Sequence, residues 1–212
     1  MLNIGAGADR SVRLSAIFQK PDWKEIRLDI DKGVNPDILG TITNMRGVVS
    51  DGSVDAIWCS HTVEHLQAHQ IALAFSEIHR VLRPYGFAIL TCPDLEAIAR
   101  LLLSRGIDSP IYRSGAGPIS VQDMLFGHSA SIEAGRLFMC HHTGFTEERL
   151  GNVALSAGFS EARVVRGGEF DLWAILMRER AKFGEIAPLL RSAAHHSSGL
   201  AALALDAEDQ RA

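Results

Sequence analysis

Leu2-Asn3-Ile4-Gly5-Ala6-Gly7 reads as a short apolar strand running directly into a glycine turn. A second strand, Ile26-Arg27-Leu28, follows and closes on Asp29. A strand, a Gly-x-Gly turn and an acid ending the next strand are the parts of a nucleoside site in an α/β sheet. The glycines let backbone approach a ligand closely, and the carboxylate can accept two hydrogen bonds from a ribose diol. The same Gly-x-Gly also serves as a plain tight turn between a strand and a helix.

What is missing narrows the ligand. A dinucleotide fingerprint carries a third glycine where this chain has Arg10, and Asp9 stands where a pyrophosphate would pass. Two anions there would repel one another. The turn suits a ligand with a ribose and no phosphate. S-adenosylmethionine, built of adenine, ribose and a zwitterionic amino acid, is such a molecule.

Outward from this stretch, strand and helix signals alternate. Val54-Asp55-Ala56-Ile57-Trp58 is strand-like, entered through the turn Asp51-Gly52-Ser53. Ile71, Ala74, Phe75, Ile78, Val81 and Leu82 fall on one helical face, which Pro84-Tyr85-Gly86 is expected to stop. Phe87 to Thr91 is a buried strand, and Asp94 caps a helix through about Leu103. Such strand-helix-strand order implies a mostly parallel sheet. The first crossover is short: Leu14, Ile17 and Phe18 form a helical face that Pro21 cuts off. A short strand near Asp37 to Ile42, with no full helix, is expected before Val54. Glycines and prolines at 104–145 mark an insertion with one or two short helices, such as Val121 to Phe126. Thr146-Glu147-Glu148 starts a helix through Ala157, and Glu161 to Arg166 with Asp171 to Met177 form a final antiparallel pair. The chain therefore reads as one domain over 1–178, with residues 179–212 a peripheral helix and tail.

Bulk properties bound the function. The 212 residues are 47% hydrophobic and 22% charged, ample for one core. A net charge of -4 carries no basic footprint for nucleic acid or an anionic membrane. No apolar run approaches the ~20 residues of a membrane span, and the opening core strand does not read as a signal peptide. Cys59, Cys92 and Cys140 are an odd number with no close pairing, which suits a reducing cytoplasm.

Four segments together resemble the class I S-adenosylmethionine-dependent methyltransferases, of the methyltransferase type 11 kind. They are Leu2 to Gly7, then Arg27-Leu28-Asp29, then Ser53 to Ile57 continuing to Glu64-His65-Leu66, and Glu77 to Gly86. The resemblance implies a Rossmann-like, doubly wound, mostly parallel sheet with an antiparallel C-terminal strand pair, trimmed at its N-terminus. It implies S-adenosylmethionine as cofactor and S-adenosylhomocysteine as product. On the family's pattern, Gly5, Ala6 and Gly7 lie against the methionine part, Asp29 holds the ribose hydroxyls and Ile30 touches the adenine. Thr41 and Ile42 stand where the family offers an acid to the adenine amine, which this chain lacks. Ser60 and His61 line the sulfonium end, with His61 the candidate catalytic base. Asn3 replaces a more usual acid. The acceptor implied is a small molecule.

Two other readings stand beside this one. The chain could bind the cofactor without transferring its methyl group. And His61-Thr62-Val63-Glu64-His65 matches the H-x-x-E-H pattern of inverted zinc peptidases, in which two histidines on one helical face hold zinc and the glutamate activates water. Glu133, Glu147 or Glu148 would then supply a third ligand. The methyl-transfer reading assigns no metal and treats Cys140-His141-His142 as loop lining. Tyr112, Gly117-Pro118, Asp123, His128, His141 and His142 are its candidates for an acceptor pocket. Trp23, Trp58 and Trp173 read as packing residues, and His195-His196 as solvated.

Overall fold

The computed structural model describes residues 1–8, 15–114, 117–168 and 170–205. The expectations for Asp9, Arg10, Leu14 and the extreme C-terminus fall outside them. Among the described residues the strands are β1 (Leu2–Ile4), β2 (Ile26–Asp29), β3 (Ile38–Leu39), β4 (Val54–Ser60), β5 (Leu82–Pro93), β6 (Pro110–Ser114), β7 (Gly117–Ser120), β8 (Glu161–Arg166) and β9 (Asp171–Met177). Seven of them form one sheet in the order β3-β2-β1-β4-β5-β9-β8. The first five are parallel, and β9 runs antiparallel between β5 and β8. This is the Rossmann-like architecture that the resemblance implies, with the antiparallel terminal pair expected from the sequence.

Side-chain alternation divides the core into two layers. Ile57 and Cys59 of β4, Ala88, Leu90 and Cys92 of β5, and Leu172, Ala174 and Leu176 of β9 face one side. Ala56 and Trp58, Phe87 and Ile89, and Ile175 and Met177 face the other. Strands covered on both faces read as continuous apolar runs, which is why no polar alternation marks them. On the first side, helices α1 (Ile71–Val81) and α5 (Glu147–Ser156) supply Phe75, Ile78, Val81, Leu150 and Ala154. On the second, Phe18 from the short 3-10 turn Ala16–Gln19 joins Ile186 and Leu190 of α6 (Phe183–Ala193) and Leu200 and Leu203 of α7 (Ser198–Leu205). Where the sequence reading has one terminal helix, the chain has these two. Trp58 and Trp173 meet at a tilt, 5.7 Å apart, in the same layer, and Trp23 meets Phe18 edge-on at 5.2 Å, so all three tryptophans pack.

One boundary differs from expectation. Helix α1 ends at Val81, and Leu82 is already extended and paired with Val54. Pro84 denies Arg83 the helical region, so the chain leaves the helix before the proline. Phe87 pairs with Ala56, so residues 83–86 form a bulge opposite Asp55 alone. A Cβ on Gly86 would stand 3.0 Å from the carbonyls of Arg83 and Asp55, a tight fit that favours glycine in the bulge. Arg178 then caps α1 from the end of β9, donating to the carbonyls of His79 and, at 2.8 Å, Leu82.

Between α2 (Leu95–Arg105) and α5 lies the insertion. It holds the expected helix α3 (Val121–Phe126), a one-turn helix α4 (Ser129–Glu133), and an unforeseen β6–β7 hairpin. Among the described residues no helix is long and apolar enough to cross a membrane.

Candidate active site

The strand order reverses between β1 and β4, and ligands of open α/β sheets sit beyond the strand carboxyl ends at that point. Gly5 occupies the turn after β1 with φ +68°, and its N–H donates to the Leu28 carbonyl at 2.9 Å. A Cβ here would lie 2.1 Å from Thr62 Oγ1, so the β1 and β4 loops pack against each other without room for any side chain. Gly7 also has positive φ, and its N–H is committed to Asp29 Oδ2 at 2.9 Å. Ala6 between them is buried.

Asp29 ends β2 beside this turn. Its second oxygen accepts the Asp31 N–H at 2.9 Å. A carboxylate has about four lone-pair sites, so each oxygen can still accept a hydroxyl. Arg27, two residues earlier on the same strand and almost fully buried, reaches the same glycine turn. Its guanidinium donates to the carbonyls of Gly7, of Asn35 at 3.0 Å and of Val34 at 3.3 Å. Sequence reasoning missed this strut. A lone cation inside the apolar run of β2 was its signal.

The remaining cofactor candidates divide. Ile30 follows Asp29 and is 63% exposed, an apolar side chain at the open end of the crevice. Thr41 is half-buried and shares a 2.9 Å hydroxyl contact with Thr43. Ile42 is buried in the first core layer, with Met45 and Val49. Ser60, at the end of β4, is 2.9 Å from the Thr91 hydroxyl on β5.

Beyond Ser60 the chain turns sharply. His61 has φ +47°, its N–H donates to Thr91 O, and its side chain is 48% exposed. Non-glycine residues in this conformation concentrate at functional sites. Only a 3-10 turn, Val63–His65, follows, so His61 and His65 do not share the helical face that the sequence reading considered. His61 Nδ1 instead lies 3.2 Å from Oε1 of Glu64, which is 1% exposed. Burial pushes the Glu64 carboxyl up, but the His61 hydrogen bond and the charges of His61, His65 and His141 outweigh it and hold the group below the usual carboxylate range. Burial also lowers His141 from the ordinary imidazole value, against the pull of Glu64. The thiols of Cys59 and Cys92 lie under this region, and burial pushes Cys59 up to about 12 and Cys92 well above its usual value. Neither is a nucleophile at neutral pH.

Glu64 also walls a cavity of about 290 Å³ beyond the ends of β4 and β5. Leu95, Ile98, Met124 and Phe126 form its apolar side, and His141 and Thr143 its polar side. The segment carrying His141 is held by Glu64 itself, whose carbonyl accepts the N–H groups of His142 at 2.8 Å and Thr143 at 3.2 Å. Of the pocket candidates from sequence, His141 and His142 line this cavity. Asp123 instead forms the capping box of α3 and braces Ser129, and His128 bonds Ser131. Tyr112 contacts Met124 Sδ from the hairpin.

Residues 2–90 match the sequence model of a methyltransferase domain family. No curated protein sequence matches the chain. Among solved structures, a SAM-dependent methyltransferase from Archaeoglobus fulgidus superposes with a TM-score of 0.54 at 12% identity, covering 84% of this chain and 85% of that one. A SAM-dependent methyltransferase from Methanosarcina mazei gives 0.52 at 14%, covering 84% and 91%. One from Thermotoga maritima, described as a possible histamine N-methyltransferase, gives 0.51 at 17%, covering 84% and 81%. At these identities the likeness to the solved structures is one of fold.

Proposed function

We propose that residues 2–90, which match the methyltransferase domain model, form a class I S-adenosylmethionine-dependent methyltransferase domain, and that the protein uses it to methylate a small molecule held in the Glu64 cavity. The observation that carries this reading is the 3.2 Å contact between His61 and Glu64. It joins the tip of β4, where the cofactor's reactive end is expected, to the wall of the cavity.

The residues fit the cofactor. Asp29 keeps lone pairs for a ribose diol, and the Gly5 turn brings backbone to the crevice floor. Ser60 and Thr91 supply hydroxyls beside its reactive end. When bound, S-adenosylmethionine supplies a methyl group on a sulfonium. Such a displacement demands alignment and exclusion of water more than functional-group catalysis. Leu95, Ile98, Met124 and Phe126 would exclude water and seat an acceptor with an apolar body. At about 290 Å³ the cavity lies at the lower end of small-molecule sites. Glu64 orients the His61 imidazole, which would accept a proton from an acceptor that must lose one. The net charge of -4 favours a small molecule over a nucleic acid. Three free thiols suit the reducing cytoplasm.

The test is calorimetric titration with S-adenosylmethionine and S-adenosylhomocysteine, followed by labelled methyl transfer to low-molecular-weight cell extract. Micromolar binding and transfer that His61→Ala slows at unchanged cofactor affinity support the reading. Binding without transfer to any fraction identifies a cofactor-binding protein instead. Absence of binding refutes both.

A further inference from the structure

One oxygen of Glu64 has no partner. Oε1 faces His61, but Oε2 is buried and accepts no hydrogen bond from the described residues. A buried carboxylate oxygen left unpaired costs free energy unless something else satisfies it. Two imidazoles stand next to it. The rings of His65 and His141 lie 4.9 Å apart between centroids, and one ligand atom from each lies within 4.8 Å of the other and of the Glu64 carboxylate.

The tautomers of both rings are set from behind. His65 Nδ1 lies 3.1 Å from the Cys140 carbonyl, and His141 Nδ1 lies 2.9 Å from the Met124 carbonyl. A carbonyl only accepts, so each Nδ1 carries its hydrogen and each Nε2 is left with a lone pair. Imidazoles held this way, with Nδ1–H on a backbone carbonyl, are the usual arrangement of metal-ligating histidines. Neither carbonyl belongs to the His61–His65 segment, so the insertion builds the back of this cluster.

We propose that Glu64, His65 and His141 form a binding site for a first-row divalent cation of the Zn²⁺ or Mn²⁺ kind, set in the wall of the cavity. Two imidazoles and one carboxylate suit these ions and not Mg²⁺ or Ca²⁺, which take oxygen ligands. Ligand atoms around Zn²⁺ at about 2.0–2.1 Å stand roughly 3.3 Å apart. Small rotations of the Glu64 carboxylate and the two rings therefore close the site. Three protein ligands leave a position open. Glu64 and His141 both line the cavity, so that position takes an oxygen or nitrogen donor of the acceptor. This last step rests on the proposed methyl transfer; the cation site does not. The ligand set also differs from the H-x-x-E-H reading. His61 is outside the cluster, and Glu133, Glu147 and Glu148 are exposed surface residues, with His141 standing where one of them was expected.

The experiment titrates metal-stripped full-length protein with Zn²⁺, Mn²⁺ and Mg²⁺ by calorimetry, and with Co²⁺ by visible absorption. One equivalent of Zn²⁺ or Mn²⁺ is expected, with Mg²⁺ binding at least 100-fold weaker. Co²⁺ should develop the d–d bands of a site with nitrogen ligands. His65→Gln and His141→Gln should each weaken binding 10- to 100-fold. A double His195→Ala/His196→Ala variant, removing the adjacent rings near the C-terminus, should leave binding intact. The proposal is overturned by no stoichiometric binding, or by binding that only the His195/His196 variant abolishes. It is equally overturned by binding that folded His65→Gln and His141→Gln proteins retain. If those variants fail to fold, the wild-type Co²⁺ spectrum decides. Cofactor titration of the stripped protein separates the two readings. Cofactor binding without metal binding sinks only the cation site, and metal binding without cofactor binding sinks only the methyl transfer.

Discussion

Replacing Asp29 with Asn keeps the shape of the side chain and perturbs both its brace on the glycine turn and its proposed contact with a ribose. In the structure its oxygens accept the N–H groups of Gly7 and Asp31, each at 2.9 Å. Asparagine has one carbonyl oxygen, so its amide must point at one of these donors. The variant loses one charge-assisted hydrogen bond and sets two donors against each other, a cost of about 1.5–3 kcal/mol. Urea unfolding at neutral pH reads this loss without any ligand. The proposed ribose contact would be worth a similar amount, or about 10- to 100-fold in Kd for S-adenosylhomocysteine by calorimetry. The two effects separate with a 2′-deoxy form of the ligand. If Asp29 holds the 2′-hydroxyl, removing that hydroxyl weakens binding to the wild type strongly and to Asp29→Asn little. Equal losses on both proteins would refute the ribose contact. An Asn variant as stable as the wild type would refute the brace on the glycine turn.

Gly5→Ala puts a methyl group within the Thr62 side chain at positive φ. It should cost about 2–4 kcal/mol, combining left-handed strain with overpacking, and Thr62→Ala should recover part of it in a double-mutant cycle of urea melts. Additive losses would mean the two loops do not pack as described. Leu203→Ala in α7 should cost about 2–5 kcal/mol, because the side chain is fully buried in the second core layer; a cost below 1 kcal/mol would show that this helix is not part of the core. Glu77 accepts from Arg80 and from the Met45 N–H, and the Arg80 hydrogen bond leads the effects that hold its carboxyl below the usual range. A depressed folded pKa contributes stability above the unfolded value near 4.5 that disappears as pH falls through the folded value. The stability gap between wild type and Glu77→Gln should therefore be full at pH 7 and shrink steadily below pH 4.5. A gap independent of pH would contradict this.

The local pattern of the chain was sufficient for the sheet. Buried runs such as Ile57 to Cys59 and Phe87 to Thr91 have one stable use, as strands covered on both faces. A Gly-x-Gly turn after β1 and Asp29 at the end of β2 put a carboxylate beside a close-approach loop, because both lie at strand carboxyl ends. Caps were equally legible: Asp94 and Thr146 accept from the helix N–H groups that their positions predict. Three features had no local signature. The bulge at 83–86 depends on the register between β4 and β5, which an isolated Pro-Tyr-Gly run reads as a helix stop. Ile42 follows its strand closely enough to suggest a ligand contact, yet the fold turns it into the core. The cluster of Glu64, His65 and His141 joins segments far apart in the chain. Its histidines were visible as residues, but their pairing required the insertion to fold back over the end of β4, with Met124 and Cys140 carbonyls behind the rings. Periodicity and turn chemistry act over a few residues and so specify elements. Which side chains share a buried space is decided by the packing of those elements, and only the tertiary structure contains that.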